Sequence, residues 1–495
     1  MSKLEEYFKP YRDGTVGRNS TFISPFGEKN IIYSDWTASG RLYEPIEKNL
    51  LEKFGPYVGN THTETSVTGS TMTVAFHQAL KMIKDHVNAD QDDVIIASGS
   101  GMTGVVNKFQ RILGFRAHEG FRDKVIENGN DRPVVFITHM EHHSNHTTWL
   151  ESLVDVVIIR PSKSDQCDLE HLAELLIEYK DRKMKIASVS ACSNVTGITN
   201  PYYKVAKLMH QAGGLCFVDF ACSAPYVHMD MHPEDKEERL DAVFFSPHKF
   251  LGGPGTPGVL IFDRQLYKNT VPDNPGGGTV NWTNPWGEKS YIADIEIREQ
   301  GGTPPFLQTI KAAMAIRLKE DMGVENILAR EEELLDRIFT QLCVIPNLQI
   351  LSKDHKNRLG VISFYIDDLH FNLGVRMLND RYGIQMRGGC SCAGTYGHLL
   401  LDIPRNLSKM ITDKVDSGDL TIKPGWIRFS IHPSMTNDEV DYIVNALKEI
   451  SENHKEWARD YEYDPKSNEF FFANGNDPKV DPSSWFDVGV KEMVK

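Results

Sequence analysis

The 495-residue chain lacks the features that mark membrane-spanning and secreted proteins. No stretch approaches the ~20 consecutive apolar residues that a membrane span needs. The first residues, Met-Ser-Lys-Leu-Glu-Glu-Tyr, contain no apolar core like that of a signal peptide. Its seven cysteines are few and odd in number, so we expect no disulfide framework. These absences predict a reduced, cytoplasmic protein with no membrane partner.

Basic residues are fewer than acidic residues. The chain has 54 Lys and Arg against 68 Asp and Glu, which gives a formal net charge of -14. Nucleic-acid-binding proteins usually present a basic face, so we expect no nucleic acid as the main partner. Hydrophobic residues at 40% and charged residues at 25% are typical of a globular protein, and the length suggests two or three domains.

Short apolar runs, rich in β-branched residues, alternate with helical patterns through the first half of the chain. The seven predicted strands are residues 94–97, 134–138, 156–159, 186–190, 215–218, 242–245 and 258–262. Helical patterns such as 73–87, 169–179 and 202–211 separate most of them. This alternation predicts an α/β fold, with a mostly parallel seven-stranded sheet covered by helices on both faces.

The pattern changes from about Pro305 onwards. A long helical stretch through Arg337 precedes shorter strands at 348–351, 360–365 and 426–431 and a helix at 438–449. We therefore predict an N-terminal arm (1–30), a large domain (31–304), a smaller α+β domain (305–455) and an acidic, aromatic-rich C-terminal extension (456–495).

A lysine and an aspartate follow two of the predicted strands. Asp219 ends the run 215–218, and Lys249 follows the run 242–245 in the sequence Ser-Pro-His-Lys. Ligands of such sheets bind beyond the carboxyl ends of the strands. A lysine amine that bonds to the aldehyde and a carboxylate that keeps the pyridine nitrogen protonated are what pyridoxal 5'-phosphate (PLP) needs. The pair predicts a PLP site, although a surface lysine and a capping aspartate are the alternative for either residue alone.

Further polar residues follow neighbouring strands. His142 can stack on a pyridine ring, and the Asn194 amide can donate to its phenolic oxygen. The segment Ser-Gly-Ser-Gly-Met-Thr at 98–103 leads into a helix, whose N-terminal N–H groups suit a phosphate. Taken singly, His142 and Asn194 are more typical of a loop histidine and a turn asparagine, and a generic glycine turn explains the segment 98–103 almost equally well.

Six motifs together resemble a known family. They are EHHSN at 141–145, SNVTG at 193–197, VDFAC at 218–222, SPHK at 246–249, GGTP at 301–304 and RGGCSCAG at 387–394. Their order is similar to that of the fold-type I, class V PLP-dependent aminotransferase family. Within it, the chain most resembles Suf-type cysteine desulfurases, selenocysteine lyases and the desulfurase domain of molybdenum cofactor sulfurase. The resemblance extends from about Ile31 to Glu449.

The resemblance implies specific cofactor contacts. His142 would stack on PLP, Asn194 would contact its phenolic oxygen, and Asp219 would pair with its nitrogen. Lys249 would bind it covalently, with His142 as a second acid or base. The phosphate would be held by Met102 and Thr103 at the helix start and by Ser246 and His248. Thr303 matches a segment that reaches the phosphate of a neighbouring subunit, which implies a homodimer.

The cysteine pair Cys390 and Cys392 falls at the family's catalytic loop. By this resemblance Cys392 is the catalytic thiol, and Arg387 would favour its thiolate. Two small buried cysteines, or a zinc pair with His398, are the alternatives; a zinc site needs four ligands and no second cysteine pair is nearby, so no metal is expected. Arg428, and secondly Arg387, match the arginines that bind a substrate carboxylate, a role that suits a bidentate donor.

Three departures from the family pattern stand out. Cys222 replaces a glutamine that would contact the phenolic oxygen, and Pro247 replaces a common glycine. The interval between Cys392 and Arg428 is longer by roughly residues 399–424, where a protein sulfur acceptor would approach.

The resemblance implies an enzyme that removes sulfur, or selenium, from cysteine or selenocysteine to give alanine through a Cys392 persulfide. The alternative is another class V reaction without persulfide chemistry: transamination, epimerisation or C–S β-elimination. A non-catalytic scaffold is a third hypothesis, which leaves the lysine, aspartate and histidine unexplained.

Overall fold

The structure is a computed structural model that describes residues 2–61, 63–125, 132–475 and 477–488. The last residues of the predicted extension, 489–495, lie outside this description. The first elements are α1 (Lys3–Tyr7), α2 (Lys9–Asp13), β1 (Thr21–Ser24), β2 (Gly27–Asn30), β3 (Ile32–Tyr33) and α3 (Glu44–Asn49). The strands β1 and β2 form an antiparallel hairpin.

The next elements form the body of the large sheet and its helices. They are α4 (Val67–His86), β4 (Asp93–Ser98), α5 (Met102–Ile112), α6 (Glu119–Val125), β5 (Val134–Thr138), α7 (His143–Leu150), β6 (Asp155–Ile159), α8 (Leu169–Glu178), β7 (Lys185–Ser190), α9 (Tyr202–Gln211), β8 (Leu215–Asp219), β9 (Ala242–Phe245) and β10 (Gly258–Asp263). After them come a hairpin, β11 (Val280–Thr283) and β12 (Lys289–Tyr291), and the short helix α10 (Ile295–Arg298).

All seven predicted strands lie in one sheet, in the order β4-β10-β9-β8-β7-β5-β6. Only β10 runs against its neighbours. Side chains alternate between the two faces of a strand: Ala242 and Phe244 of β9 belong to one hydrophobic cluster, Val243 and Phe245 to another. Both faces are thus buried under helices, which explains why the strands read as continuous apolar runs. The predicted α/β fold with a seven-stranded, mostly parallel sheet is confirmed.

The remaining elements build a smaller sheet and its helices. They are α11 (Phe306–Met322), α12 (Val324–Leu342), β13 (Leu348–Ile350), β14 (Val361–Ile366), α13 (Phe371–Met377), β15 (Ile384–Gln385), β16 (Arg387–Gly389), α14 (Gly394–Leu400), α15 (Arg405–Asp416), β17 (Trp426–Ser430), α16 (Asn437–Trp457), β18 (Tyr461–Asp464) and β19 (Glu469–Phe472). The strands β13-β14-β17-β16 form an antiparallel sheet, as expected for an α+β unit.

The helical stretch predicted as one element from Pro305 to Arg337 is two helices. Gly323 separates α11 from α12 with a φ of 74°, in the left-handed region that glycine adopts without a Cβ penalty. A capping box formed by Thr436 and Glu439 fixes the start of α16 at Asn437, close to the predicted start, and the helix continues to Trp457, beyond the predicted end at 449.

The predicted C-terminal extension begins with the hairpin β18–β19. Its Phe472 ring packs edge-on against Phe26, with ring centroids 5.5 Å apart, and the Asn372 side chain donates to the Asn468 backbone. Within the described ranges, no helix has the length and apolar character required to cross a membrane. All seven cysteines are free thiols.

Candidate active site

The carboxyl ends of the strands of the large sheet open into one cavity of about 460 Å³. Eleven of the twelve residues predicted for the site line it: Met102, Thr103, His142, Asn194, Asp219, Ser246, His248, Lys249, Arg387, Cys392 and Arg428. The large sheet supplies the first eight, and the small sheet with its cysteine loop supplies the last three. The site therefore lies between the two sheets.

Lys249 ends a single 3-10 turn, Pro247–Lys249, that directly follows β9. The Gly40 N–H donates to the His248 carbonyl at 2.9 Å, which fixes this turn against the N-terminal segment. Burial lowers the pKa of Lys249, while Cys222 and Asp219 oppose the shift. A buried lysine with a lowered pKa carries a larger fraction of neutral, nucleophilic amine.

Asp219 is the last residue of β8 and is 4% exposed. Its Oδ1 accepts the Ala221 N–H at 2.8 Å. Burial raises the pKa of Asp219 to about 7, and the nearby Glu141 acts in the same direction. A buried carboxyl group of this kind favours a cationic partner in the cavity.

We expect Asp219→Asn to stabilise the cofactor-free protein at pH 8. The raised pKa means that the folded chain holds this proton more tightly, so stability falls as the pH rises from about 4 to about 7. Asparagine keeps the acceptor for Ala221 without the charge, and the gain is up to ~4 kcal/mol at pH 8, shrinking towards pH 4. Urea unfolding at several pH values measures it.

The same Asp219→Asn substitution should weaken PLP binding by at least ~10-fold, because a neutral amide cannot keep the pyridine nitrogen protonated. Unchanged PLP affinity together with a pH-independent stability change would contradict this role of Asp219.

His142 forms the N-cap of α7, where its Nδ1 accepts the Ser144 N–H at 3.1 Å. Because Nδ1 is an acceptor, the neutral ring carries its proton on Nε2. Burial and the charge of Lys249 lower the pKa of His142 to about 3. The imidazole is therefore neutral around pH 7, as a ring that stacks on another aromatic ring should be.

The start of α5 forms a phosphate-sized cradle. The Met102 N–H donates to Ser246 Oγ at 2.9 Å, and His248 Nδ1 lies 3.2 Å from the Ser100 carbonyl oxygen. A Cβ at Gly101 would lie only 3.1 Å from His248 Cε1, so glycine keeps the cradle open. Thr103, Ser246 and His248 thus lie together at the N-terminus of α5 in the cavity, a position at which many proteins bind phosphate.

Arg428 and Arg387 lie opposite each other on β17 and β16. Arg428 Nη2 lies 2.6 Å from Asp35 Oδ1, and Arg387 Nε lies 3.1 Å from Asp35 Oδ2. Arg428 is 3% exposed, whereas the Arg387 side chain is 48% exposed. Asp35 was not found from the sequence, because an aspartate in Ser-Asp-Trp is indistinguishable from a turn residue.

The cysteine loop is anchored by hydrogen bonds to the segments that follow β5 and β7. Ser391 and Cys392 both have left-handed backbones, with φ of 51° and 58°, a conformation that costs ordinary residues ~1–3 kcal/mol. The Asn194 side chain donates to the Ser391 carbonyl at 2.7 Å, and the His143 N–H to the Cys392 carbonyl at 2.8 Å. These bonds hold an exposed Cys392 thiol at the cavity.

Cys390 does not line the cavity. It is half-buried and packs against a hydrophobic cluster that contains Met140, Tyr396 and Trp426. His398, the third residue of the zinc alternative, uses both ring nitrogens: Nδ1 lies 2.8 Å from the Gly394 carbonyl and Nε2 2.9 Å from Ser408 Oγ. This arrangement leaves no nitrogen of His398 for a metal.

Thr303 is the one predicted site residue that lies outside the cavity of its own chain. It is exposed in the loop between α10 and α11. Its contact with a neighbouring subunit's phosphate therefore stays a prediction.

Two further residues near the cavity were missed from the sequence. Glu141 is fully buried and accepts hydrogen bonds from Thr138, Ser190 and Asn145, which fixes the end of β5 just before His142. Cys192 lines the cavity beside Asn194. The motifs at 141–145 and 193–197 indicate that this part of the chain lies near the cavity. Neither Glu141 nor Cys192, however, belongs to a residue pattern that would single it out from the sequence.

A comparison with protein families decides the relationship of the chain. The model of the family described as Aminotransferase class-V matches residues 32–443.

The chain belongs to the class-V aminotransferase family.

Members of this family are PLP-dependent enzymes, which confirms the prediction of a PLP-dependent enzyme at the level of the family.

Among similar proteins, a probable cysteine desulfurase of Staphylococcus aureus (strain COL) is 27% identical over 428 residues, covering 86% of this chain and 93% of that relative. A probable cysteine desulfurase of Staphylococcus epidermidis (strain ATCC 12228 / FDA PCI 1200) is 28% identical over the same length, with the same coverage.

Solved class-V structures share the fold. The S-sulfonic acid form of the cysteine desulfurase CsdA from Escherichia coli superposes with a TM-score of 0.69 at 20% identity, covering 90% of this chain and 98% of that one. The apo cysteine desulfurase of Thermococcus onnurineus NA1 gives a TM-score of 0.68 at 21% identity, covering 86% and 95%. Both comparisons concern the fold alone.

Proposed function

We propose that this class-V protein is a PLP-dependent cysteine desulfurase that forms a persulfide on Cys392 and releases alanine. The observation that carries the proposal is that the Cys392 thiol opens into the same cavity as Lys249, Asp219 and Arg428. The names of the similar staphylococcal proteins support the same activity.

The residues present fit PLP. The cradle at the start of α5 suits the phosphate, Asp219 suits the protonated ring nitrogen, and neutral His142 suits a ring face. Asn194 Oδ1 is buried without a hydrogen-bond partner among the described residues, which leaves a polar atom in the cavity for a ligand. When bound to Lys249, PLP supplies an electron sink for the substrate carbanion.

Lys249 also moves a proton in this proposal. The free Lys249 amine would accept the proton from the substrate Cα. The lowered pKa of Lys249 favours this base near neutral pH, since a general base works best when its pKa is close to the working pH. His142 Nε2–H is available as a second proton donor in the same cavity.

Cys392 then attacks the substrate sulfur. An S–S bond forms, the Cβ–S bond of the substrate breaks, and its electron pair remains with the carbon that becomes the methyl group of alanine. Cysteine and a thiol become alanine and a persulfide, so no oxidant or reductant is consumed. The anchored loop keeps this thiol in place before the substrate arrives.

The persulfide sulfur would leave with a protein acceptor. The segment 399–424, which contains α15, carries exposed apolar side chains, Leu407 at 37% and Met410 at 51%. These exposed side chains offer apolar contact area to an approaching protein. They lie in the chain segment that follows the cysteine loop.

The activity is tested by incubating the PLP-loaded protein with cysteine and dithiothreitol. The proposal predicts equal amounts of alanine and sulfide, and alanine with selenide from selenocysteine. Pyruvate with ammonia would show β-elimination instead, an α-keto acid that retains the sulfur would show transamination, and D-cysteine would show epimerisation; each contradicts the proposal.

Arg428 is proposed to bind the substrate carboxylate, and we expect Arg428→Lys to lower kcat/KM ~100-fold. Lysine loses the planar, bidentate fork and leaves Asp35 less well paired. Most of the loss should appear in KM, with PLP binding unchanged. Arg387→Lys is the matched control and should lose less, because Arg387 is half exposed. Equal losses in both variants would contradict the primary role of Arg428.

We further propose a homodimer with shared sites, supported by the exposure of Thr303 and by the neighbouring hairpin β11–β12, which exposes Trp282 by 51% and Trp286 by 83%. Exposed aromatic side chains of this kind are enriched at protein interfaces. Thr303→Ala should weaken PLP retention. Mixed dimers of Thr303→Ala and Lys249→Ala chains should regain activity, because one of the two sites then contains both native residues. A monomer by light scattering at the assay concentration would contradict this prediction.

A further inference from the structure

Two cysteines that the proposed reaction does not use lie side by side in the cavity. Cys192 follows β7 and Cys222 follows β8, and these strands are adjacent and parallel, with Ser190 paired to Asp219. Neighbouring strands are ~4.8 Å apart, which is within the range of Cα separations that a disulfide spans. Both cysteines line the cavity.

The two thiols also share their contacts. Cys192 Sγ lies 3.5 Å and Cys222 Sγ lies 3.7 Å from the same atom, the Ser193 carbonyl oxygen. The proximity of Cys192 lowers the pKa of Cys222, and the charges of Lys249 and Arg428 act in the same direction. Burial raises the pKa of Cys192 well above its ordinary value. These directions favour Cys222 as the attacking thiolate and Cys192 as the thiol that completes the disulfide, and the shared Ser193 carbonyl places both thiols side by side.

We propose that Cys192 and Cys222 form a dithiol modification site at the base of the cavity, which a small-molecule disulfide oxidises to an intramolecular disulfide. The Cys222 thiolate attacks one sulfur of the reagent and releases the first thiol. Cys192 then attacks Cys222 Sγ, loses its proton and releases the second thiol. The two cysteines lose two electrons and two protons, and the reagent becomes two thiols.

The remaining cysteines are separated from this pair. Cys392 lies on the loop contributed by the small sheet, and Cys390 packs into the cluster behind it. Cys216 is within β8 and is fully buried in the core. Cys167 is buried in the same core cluster as Cys216, and Cys343 is exposed at the end of α12. Neither lines the cavity.

Cofactor occupancy should protect the dithiol. Cys192 and Cys222 line the same cavity as Lys249 and Asp219, the residues proposed to hold the cofactor. This part rests on the proposed PLP binding. Oxidation of cofactor-free protein tests the dithiol by itself, so that failure of PLP binding and failure of the dithiol are distinguishable.

The test uses the full-length protein, with and without added PLP, exposed to bis(2-hydroxyethyl) disulfide, alkylated and digested with trypsin. Cys192 lies in peptide 186–204, Cys222 in peptide 208–236 together with Cys216, and the loop pair in peptide 388–405. We expect a linked pair of the first two peptides, reduced by dithiothreitol and less abundant when PLP is present.

Substitutions of single cysteines show which two residues form the disulfide. Cys222→Ser and Cys192→Ala should each reduce the linked product by at least ~10-fold, whereas the control Cys216→Ala should retain it. Loss of the product in Cys216→Ala would overturn the inference, as would its absence from wild-type protein under conditions that oxidise Cys390 and Cys392. Formation of the product in the cofactor-free protein without any protection by PLP would leave the dithiol standing and count against PLP binding.

Discussion

Replacement of Lys249 by alanine is expected to abolish turnover and covalent PLP attachment. Lys249 is the one lysine that lines the cavity within the described residues, and burial lowers its pKa so that the neutral amine is available. Loss of both the attachment point and the proton carrier should reduce kcat by at least ~10⁴-fold. Borohydride reduction of the PLP-loaded protein, followed by peptide mapping, measures the attachment directly.

The chain offers a matched control for Lys249→Ala. Lys319 is also buried, its pKa is lowered by burial to about 7, and its Nζ lies 5.8 Å from the centre of the Phe250 ring, but it does not line the cavity. Lys319→Met should therefore keep covalent PLP attachment. PLP reduced onto a different lysine in the Lys249→Ala variant would show that the cofactor assignment is wrong.

Replacement of Cys392 by serine is expected to separate cofactor binding from sulfur transfer. The variant keeps Lys249, Asp219 and the phosphate cradle, so PLP should bind and cysteine should still perturb its absorbance. Alanine release should fall by on the order of 10³-fold or more, as expected when a catalytic nucleophile is removed. Alanine quantified by chromatography, with absorbance spectra in parallel, measures both effects.

Cys390→Ser is the control for the Cys392 prediction. Its thiol is turned away from the cavity and packs against the cluster behind the loop, so its loss should affect alanine release much less. Release of alanine at the wild-type rate by Cys392→Ser would exclude persulfide chemistry at this residue and favour another class-V reaction.

The strands of the large sheet and several cavity-lining residues were predictable because strands that are buried on both faces are continuous apolar runs in the sequence. Each strand of the large sheet is a short apolar run, and the residues at its carboxyl end must face the same edge. Asp219 and Lys249 could therefore be placed near each other before the structure was known. Their partner His142 followed from the same argument.

Other features depend on contacts between distant parts of the chain, which leave no local pattern. Asp35 reaches the two arginines only because the N-terminal segment pairs with β17 at Ser430. The left-handed conformation of Ser391 and Cys392 is held by Asn194 and His143 of the large domain. These contacts join residues far apart in the sequence, so the residues of the loop alone do not indicate them.

The measurement that tests the proposed function most directly is mass spectrometry of the tryptic peptide 388–405 after the PLP-loaded protein has turned over cysteine without a reductant. The proposed mechanism predicts one extra sulfur atom, located on Cys392 by fragmentation, in step with one alanine released per site. An unmodified peptide in protein that has released alanine, or an extra sulfur confined to Cys390, would contradict it.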